Sequence, residues 1–347
     1  SPTGQILAAI LGFPNYIPAS ESGLVAMDFE YPAHFQAGIK YKVMPDLQVN
    51  FDVGWTDYAA WDKFKFEFDR QISALKIAEI LAETDLPAGA FSVLPCPREQ
   101  ADVLVTDDRF KLLSFTGSDV VGWDMKARAG RKKVTLELGG NAAVMIEADT
   151  EVNDALVDRL IGGAYNHAGQ VCISVQRILV HRAIYTQLKD KLVSRLQSLR
   201  AADPRLDSAL VGPMIKENEA VRLKKWLDQA VAEGATVLVG GEQQGVMFEP
   251  TLLEQVSPTS EIYQNEAFGP VAILEPYEQF EQGIERINQS RFGLQAGVYT
   301  QNLQQMLYAW DQLHVGGVII NDIPSFRVDN MPYGGVKDSG LGREGIQ

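Results

Sequence analysis

Residues 112–140 read LLSFTGSDVVGWDMKARAGRKKVTLELGG, and this stretch decides the fold class. Residues 112–115 form a short apolar run that predicts a strand. Residues 119–129 predict a helix after Ser118, and residues 134–138 a second strand that stops at Gly139-Gly140. A strand–helix–strand unit of this kind builds a mainly parallel, doubly wound α/β sheet. The same texture extends outward. A helix is expected over 73–82, with apolar Leu75, Ile77, Ala78 and Leu81, then a connection at 86–89 and a short strand at 91–94. Further helices are expected over 152–167, 185–199 and 217–233, the last amphipathic.

Upstream of Gln71 the period changes. Phe35, Ala37, Ile39, Tyr41 and Val43 alternate with polar or small residues, as do Leu47, Val49, Phe51, Val53 and Trp55, and then Phe64, Phe66 and Phe68. Period two predicts antiparallel strands with one apolar face, the first two joined by a turn at Met44-Pro45-Asp46. A soluble sheet with one buried face satisfies this pattern, and so does a lipid-facing barrel wall.

The bulk composition limits the function classes. The chain has 347 residues, 46% hydrophobic and 22% charged, with a formal net charge of −14, the balance of a globular protein of two or three domains. So acidic a surface disfavours a nucleic-acid partner, which needs clustered Lys and Arg. Two cysteines, Cys96 and Cys172, are too few for a disulfide framework or a thiolate zinc site and suit a reducing, cytoplasmic compartment. The histidines show no metal-ligand spacing. No apolar run reaches the ~18 residues of a membrane helix, and the run at 6–13 lacks the basic start of a signal peptide. The chain opens on Ser1 rather than Met, so an upstream part is expected to be missing.

Four segments carry candidate chemistry. Phe115-Thr116-Gly117-Ser118 sits at a strand-to-helix junction, where free N–H groups and the helix dipole suit a pyrophosphate. The plainer reading is a turn with Ser118 as N-cap. In Val134-Thr135-Leu136-Glu137-Leu138-Gly139-Gly140, a carboxyl ends an apolar strand. Drawn from water, it has a raised pKa and can serve as a base, unless it is simply an exposed strand end. In Gly169-Gln170-Val171-Cys172-Ile173 the cysteine is a nucleophile if nearby N–H groups or positive charge favour its thiolate, and a small core hydrophobe otherwise. Asn265-Glu266-Ala267-Phe268-Gly269-Pro270 offers a carboxyl for a hydroxylated ligand and a flat ring to pack it, or else a loop with a core Phe.

Taken in order, with the closing Met331-Pro332-Tyr333-Gly334-Gly335-Val336-Lys337-Asp338-Ser339-Gly340, these segments resemble the aldehyde dehydrogenase superfamily from about residue 72 onward. Phe326-Arg327-Val328-Asp329 is similar to the branch of lactaldehyde and non-phosphorylating glyceraldehyde-3-phosphate dehydrogenases. The resemblance implies Cys172 as nucleophile, Glu137 as base and the Cys172 N–H as one oxyanion donor. It places NAD or NADP at Gly117, Ser118, Leu138, Gly139, Glu266 and Phe268. It implies a small-molecule aldehyde substrate. Arg177 and Arg327 are cations that could meet a negatively charged substrate tail, with surface ion pairing the plainer role for each. The resemblance also implies a homo-oligomer, although the chain stops soon after Gly345, before the strand with which family members assemble.

On this reading the fold is α/β: an incomplete Rossmann-like cofactor domain at 72–141 and an α/β catalytic domain at 142–347, behind an N-terminal antiparallel β segment at 1–71. Two family segments are not found: one supplies an Asn to the oxyanion hole, the other a Lys to the adenosine ribose. Loss of one oxyanion donor typically costs about 10²–10³ in turnover. Residues 31–69 instead resemble an outer-membrane long-chain fatty-acid transporter, so a join between unrelated genes near Gln71 is expected. Three other functions stay open: an inactive dehydrogenase remnant, a transporter fragment, and a cysteine hydrolase pairing His167 with Cys172.

Overall fold

The computed structural model describes residues 34–44, 47–56, 80–87, 89–94, 98–206, 209–328 and 331–344, with the backbone alone at 34–44, 47–56 and 98–99. The first part contains β1 (His34–Met44), β2 (Leu47–Thr56), α1 (Arg98–Thr106), β3 (Leu112–Thr116), α2 (Asp119–Arg128) and β4 (Lys133–Glu137). Then come β5 (Ala143–Ile146), α3 (Asp154–Tyr165), β6 (Arg177–His181), α4 (Arg182–Leu196), α5 (Glu217–Ala232) and β7 (Thr236–Val239). The small strands β8 (Gln243–Gln244) and β9 (Met247–Phe248) precede β10 (Thr251–Glu254), α6 (Glu261–Gln264), β11 (Val271–Tyr277) and α7 (Phe280–Asn288). The chain ends with β12 (Phe292–Gly293), β13 (Gln295–Tyr299), α8 (Leu303–Gln312), β14 (Gly317–Ile320), β15 (Val336–Lys337) and β16 (Gly340–Leu341).

Two sheets organise these elements. One has the order β16-β4-β3-β1-β2, the other β14-β13-β5-β6-β11-β10-β7. In the second, β14, β13, β5, β6, β11 and β10 are parallel to their neighbours, and β7 closes one edge antiparallel. Its central strands are apolar on both faces because helices cover both. Val144, Ile146, Ile178 and Val180 pack on α3 and α4 through Leu156, Leu160, Leu188 and Leu192. Ala143, Met145 and Leu179 point the other way, onto Ile284 and Ile287 of α7 and Ala309 of α8. In the first sheet Leu113, Phe115, Leu136 and Leu138 pack on Leu104 and Val105 of α1 and Met125 of α2.

The strand–helix–strand unit expected over 112–138 is present, with β3 and β4 parallel. The first two alternating runs form an antiparallel hairpin, Phe35 opposite Trp55, and β1 adds antiparallel to β3. The third run, at 64–68, lies outside the described residues, as does the 73–82 helix apart from its end at 80–82. Residues 91–94 do not form the expected strand. Leu94 is half exposed, and Pro95 follows with no N–H to give a ladder. The helix expected over 152–167 starts later, because the Asn153 side chain accepts from the Leu156 N–H at 3.0 Å and caps it. It ends at Tyr165, after which His167 and Ala168 take left-handed φ of 52° and 55° and turn the chain back toward Cys172. The sheets divide between Glu137 and Ala143, although β16 returns from the far end of the chain to the first sheet. No helix among the described residues is long and apolar enough to cross a membrane.

Candidate active site

Glu137 is the last residue of β4, and the sheet fixes it on both sides. It lies opposite Thr116 on β3 and opposite Gly340 on β16, its carbonyl accepts from the Gly117 N–H at 3.1 Å, and the next N–H, of Leu138, donates to Ser339 O at 3.0 Å. A backbone held on two sides leaves the side chain few directions, and Glu137 is 7% exposed. Burial pushes its pKa up, which is the behaviour its apolar setting predicts; a hydrogen bond from the Cys172 thiol opposes the shift.

Cys172 comes from the loop between α3 and β6. Ser174 ties that loop down, its N–H donating to Val171 O at 2.9 Å and its hydroxyl facing the Gly163 and Ala164 carbonyls at 3.2 Å. Gln170 bonds Pro213 O and the Ile215 N–H, and the Ser325 hydroxyl donates to Ile173 O at 2.8 Å. On the other side stands Gly140, where a Cβ would lie 2.2 Å from Cys172 O, so only glycine lets the two backbones meet. The N–H of Cys172 donates to no protein acceptor among the described residues.

The sulfur and the carboxyl converge on Tyr333. Cys172 Sγ is 3.1 Å from the Tyr333 hydroxyl, which lies 3.2 Å from Glu137 Oε1. The place of Tyr333 in the chain assigns it no role, although it lies in the quoted Met331-Pro332-Tyr333-Gly334-Gly335 run. Its ring is 2% exposed and carries the Arg327 guanidinium at 4.1 Å; Arg327 also bonds Glu344 at 3.1 Å. Of the two influences that could favour a thiolate, positive charge is not in contact with the sulfur among the described residues. Burial and the Glu137 charge both push the Cys172 thiol up, and the Tyr333 hydrogen bond is the opposing influence.

Glu266 approaches from the third side. Its Oε1 accepts from the Gly140 N–H at 3.0 Å, and its Oε2 fills the space a Cβ on Gly139 would need. Its loop is held by two buried amides. Asn141 Nδ2 donates to Tyr263 O and Asn265 O, and Gln176 bonds Ile262 O, Asn265 O and the Ala267 N–H. Arg291 joins this loop to the start of α2, bonding Asn265, Asp119 and Asp338. Phe268, half-buried in the same loop, takes a left-handed φ of 44°. Ser118 is the N-cap residue of α2 but makes no side-chain cap, so it and Gly117 present the helix start without an internal acceptor there. The Leu138 side chain is core, 1% exposed, so only its backbone can meet a ligand. The free helix start, the Glu266 carboxyl and the narrow Gly139 position together fit a dinucleotide.

Burial pushes Glu266 up to about 8, from an ordinary 4.5. Folding thus retains a proton that the unfolded chain gives up near 4.5. The stability it brings is fully present below that pH and is lost as pH rises through about 8. Glu266→Gln should therefore show a flatter dependence of melting temperature on pH between about 5 and 8 than the parent. Equal slopes would mean that Glu266 is ionised throughout.

Two candidates fall away. Arg177 is 1% exposed and stacks on Tyr263 at 5.1 Å, so it is a core cation and not a contact for a substrate tail. His167 is exposed at the turn after α3, and the polar partners of Cys172 are Tyr333 and Glu137, which leaves a Cys–His hydrolase without its base. No group of three or more His, Cys, Asp or Glu among the described residues could hold a metal.

A half-buried cysteine thus shares a hydroxyl partner with a buried carboxyl, in a chain that also holds an uncapped helix start and the Glu266 loop. Residues 64–347 match the aldehyde dehydrogenase family, and the chain belongs to it. The match begins eight residues before the expected 72. The chain is 40% identical over 275 residues to the 3-sulfolactaldehyde dehydrogenase of Priestia aryabhattai, covering 79% of this chain and 57% of that one. Aldehyde dehydrogenase 21 of Physcomitrella patens, solved with the reaction product succinate, is 46% identical with a TM-score of 0.76, covering 79% and 57%. Glyceraldehyde-3-phosphate dehydrogenase GapN of Methanocaldococcus jannaschii, complexed with NADP, is 36% identical with a TM-score of 0.75, covering 79% and 59%. Other solved neighbours hold NAD+. The chain thus spans a little over half the length of these relatives.

Proposed function

We propose that this protein oxidises an aldehyde to a carboxylic acid with NAD or NADP, through a thiohemiacetal and then a thioester on Cys172. The observation that carries the reading is the meeting of Cys172 Sγ and the Glu137 carboxyl at one buried hydroxyl. Burial raises the pKa of Glu137, which makes it a stronger base than an exposed carboxylate, able to take a proton from the thiol or from attacking water. The unengaged Cys172 N–H faces the oxyanion that forms when sulfur adds to the carbonyl. Gly117, Ser118, the Leu138 backbone, Gly139, Glu266 and Phe268 would hold the dinucleotide, whose nicotinamide supplies the hydride acceptor when bound. Water then attacks the thioester carbonyl as Glu137 takes its proton, and the acid leaves as the thiol is restored. On this reading residues 72–141 supply the cofactor side and 142–347 the catalytic side.

The substrate is a small aldehyde with an anionic tail. Arg327 is the cation next to the site, stacked on Tyr333 and held at a half-exposed position by Glu344. Relatives named for sulfolactaldehyde and for a succinate product suit the same charge. The test is the 340 nm absorbance of NAD(P)H with short aldehydes that do or do not carry a carboxylate or sulfonate. The reading requires a signal, larger with the charged series at equal concentration. No signal with any aldehyde and either cofactor rejects it.

A further inference from the structure

We infer that Tyr333 is a catalytic residue, whose hydroxyl donates a hydrogen bond to the Cys172 thiolate as the thiol proton passes to Glu137. This rests on the proposed aldehyde oxidation but concerns the step before substrate arrives. Three polar groups share one buried volume: the thiol, the phenol and the carboxyl, with the phenol oxygen 3.1 Å from Sγ and 3.2 Å from Oε1. The carboxyl stands one hydroxyl away from the thiol, so the proton has an acceptor. The step breaks the S–H bond and forms an O–H bond on Glu137. It moves one proton, oxidises nothing and leaves the negative charge on sulfur in place of oxygen.

That charge needs a donor. The described groups around Sγ include no cation in contact with it. Glu137 sets negative charge against it, and the Tyr333 hydrogen bond is the interaction that favours the ionised sulfur. A phenol can serve because its own pKa is driven up by burial and by the neighbouring charges, so it keeps its proton and remains a donor. Once Glu137 is protonated it no longer competes for that donor, and the O–H bond can swing from Oε1 to Sγ without any atom leaving the pocket. Tyr333 is also placed firmly. Its backbone N–H and the carbonyl of Glu344 pair at 3.0 Å, the reverse pair closes the bridge, and Arg327 lies across the ring.

The experiment is alkylation of Cys172 by iodoacetamide, followed by peptide mass spectrometry across pH 6–10 in the intact chain. Tyr333→Phe keeps the ring and removes only the donor. Its Cys172 alkylation should fall by about 10- to 100-fold at neutral pH, with the titration midpoint displaced upward by one to two pH units, the worth of a hydrogen bond to a charged group. Tyr165→Phe is the control. It removes a buried hydroxyl bonded to Thr251 O at 2.9 Å, away from the sulfur, and should leave the midpoint in place. A purely structural Tyr333 would lower the melting temperature of its variant without moving that midpoint. A midpoint unchanged in Tyr333→Phe overturns the inference, as does one moved equally by Tyr165→Phe. Alkylation needs neither cofactor nor aldehyde, so a chain silent at 340 nm can still confirm or refute this step.

Discussion

Cys172→Ala is expected to reduce aldehyde-dependent NAD(P)H formation by about 10⁴-fold or more, to the background of the assay, the scale on which enzymes lose rate with their nucleophile. The size follows from what the substitution leaves behind. The Tyr333 hydroxyl still donates to Glu137, the Gly140 contact is to backbone and survives, and the loop remains pinned through Gln170, Ser174 and Ser325. The variant should therefore melt close to the parent and still bind the cofactor, having lost only the atom that attacks the carbonyl. Turnover above a few per cent of the parent would assign the chemistry to another group.

Glu137→Gln comes next in size, with turnover lower by about 10²–10⁴-fold at neutral pH, the usual range for a missing general base. The amide is nearly isosteric and can still accept from Tyr333, so packing is preserved while proton uptake is lost. The pH profile separates this from simple damage. In the parent, activity rises with pH as Glu137 ionises, through a pKa that burial has lifted above the ordinary carboxyl value, and then levels. In the variant, hydroxide must do the work of the base, so the rate keeps climbing with pH and the gap narrows at the alkaline end. A constant ratio at every pH would mean that Glu137 only holds shape.

The parts of this protein that could be read along the chain are those whose cause is local. A strand, a helix start and a second strand follow one another in residues 112–138, so the α/β class and the position of Glu137 come from adjacent residues. Cys172 stands out through its immediate neighbours in the same way. Tyr333 could not be read, because its chemistry depends on partners 161 and 196 positions away and its own neighbours, Pro332 and Gly334, say only that there is a turn. The pairing of β16 with β4 is equally non-local: two residues near the end of the chain complete the wall that fixes Glu137. Arg177 misled for a related reason. Its charge suggests either a substrate contact or a surface ion pair, but as the first residue of a buried strand it turns into the core and stacks on Tyr263. The short run at 91–94 had composition in its favour, yet it joins no ladder among the described residues. The electrostatics of the thiol followed the same logic. The sequence shows which ionisable groups exist, whereas whether a cation or a carboxyl faces the sulfur depends on how the loops from three distant segments close around it.

The most direct measurement is intact-protein and peptide mass spectrometry of Glu137→Gln, quenched in acid after mixing with NAD(P)+ and an anionic short-chain aldehyde. With water activation impaired, the acyl group should stay on the protein as a mass increment equal to the substrate's acyl residue, confined to the peptide containing Cys172 and absent when cofactor is omitted. NAD(P)H appearing with no increment on that peptide, or with the acyl group on another residue, would contradict the account.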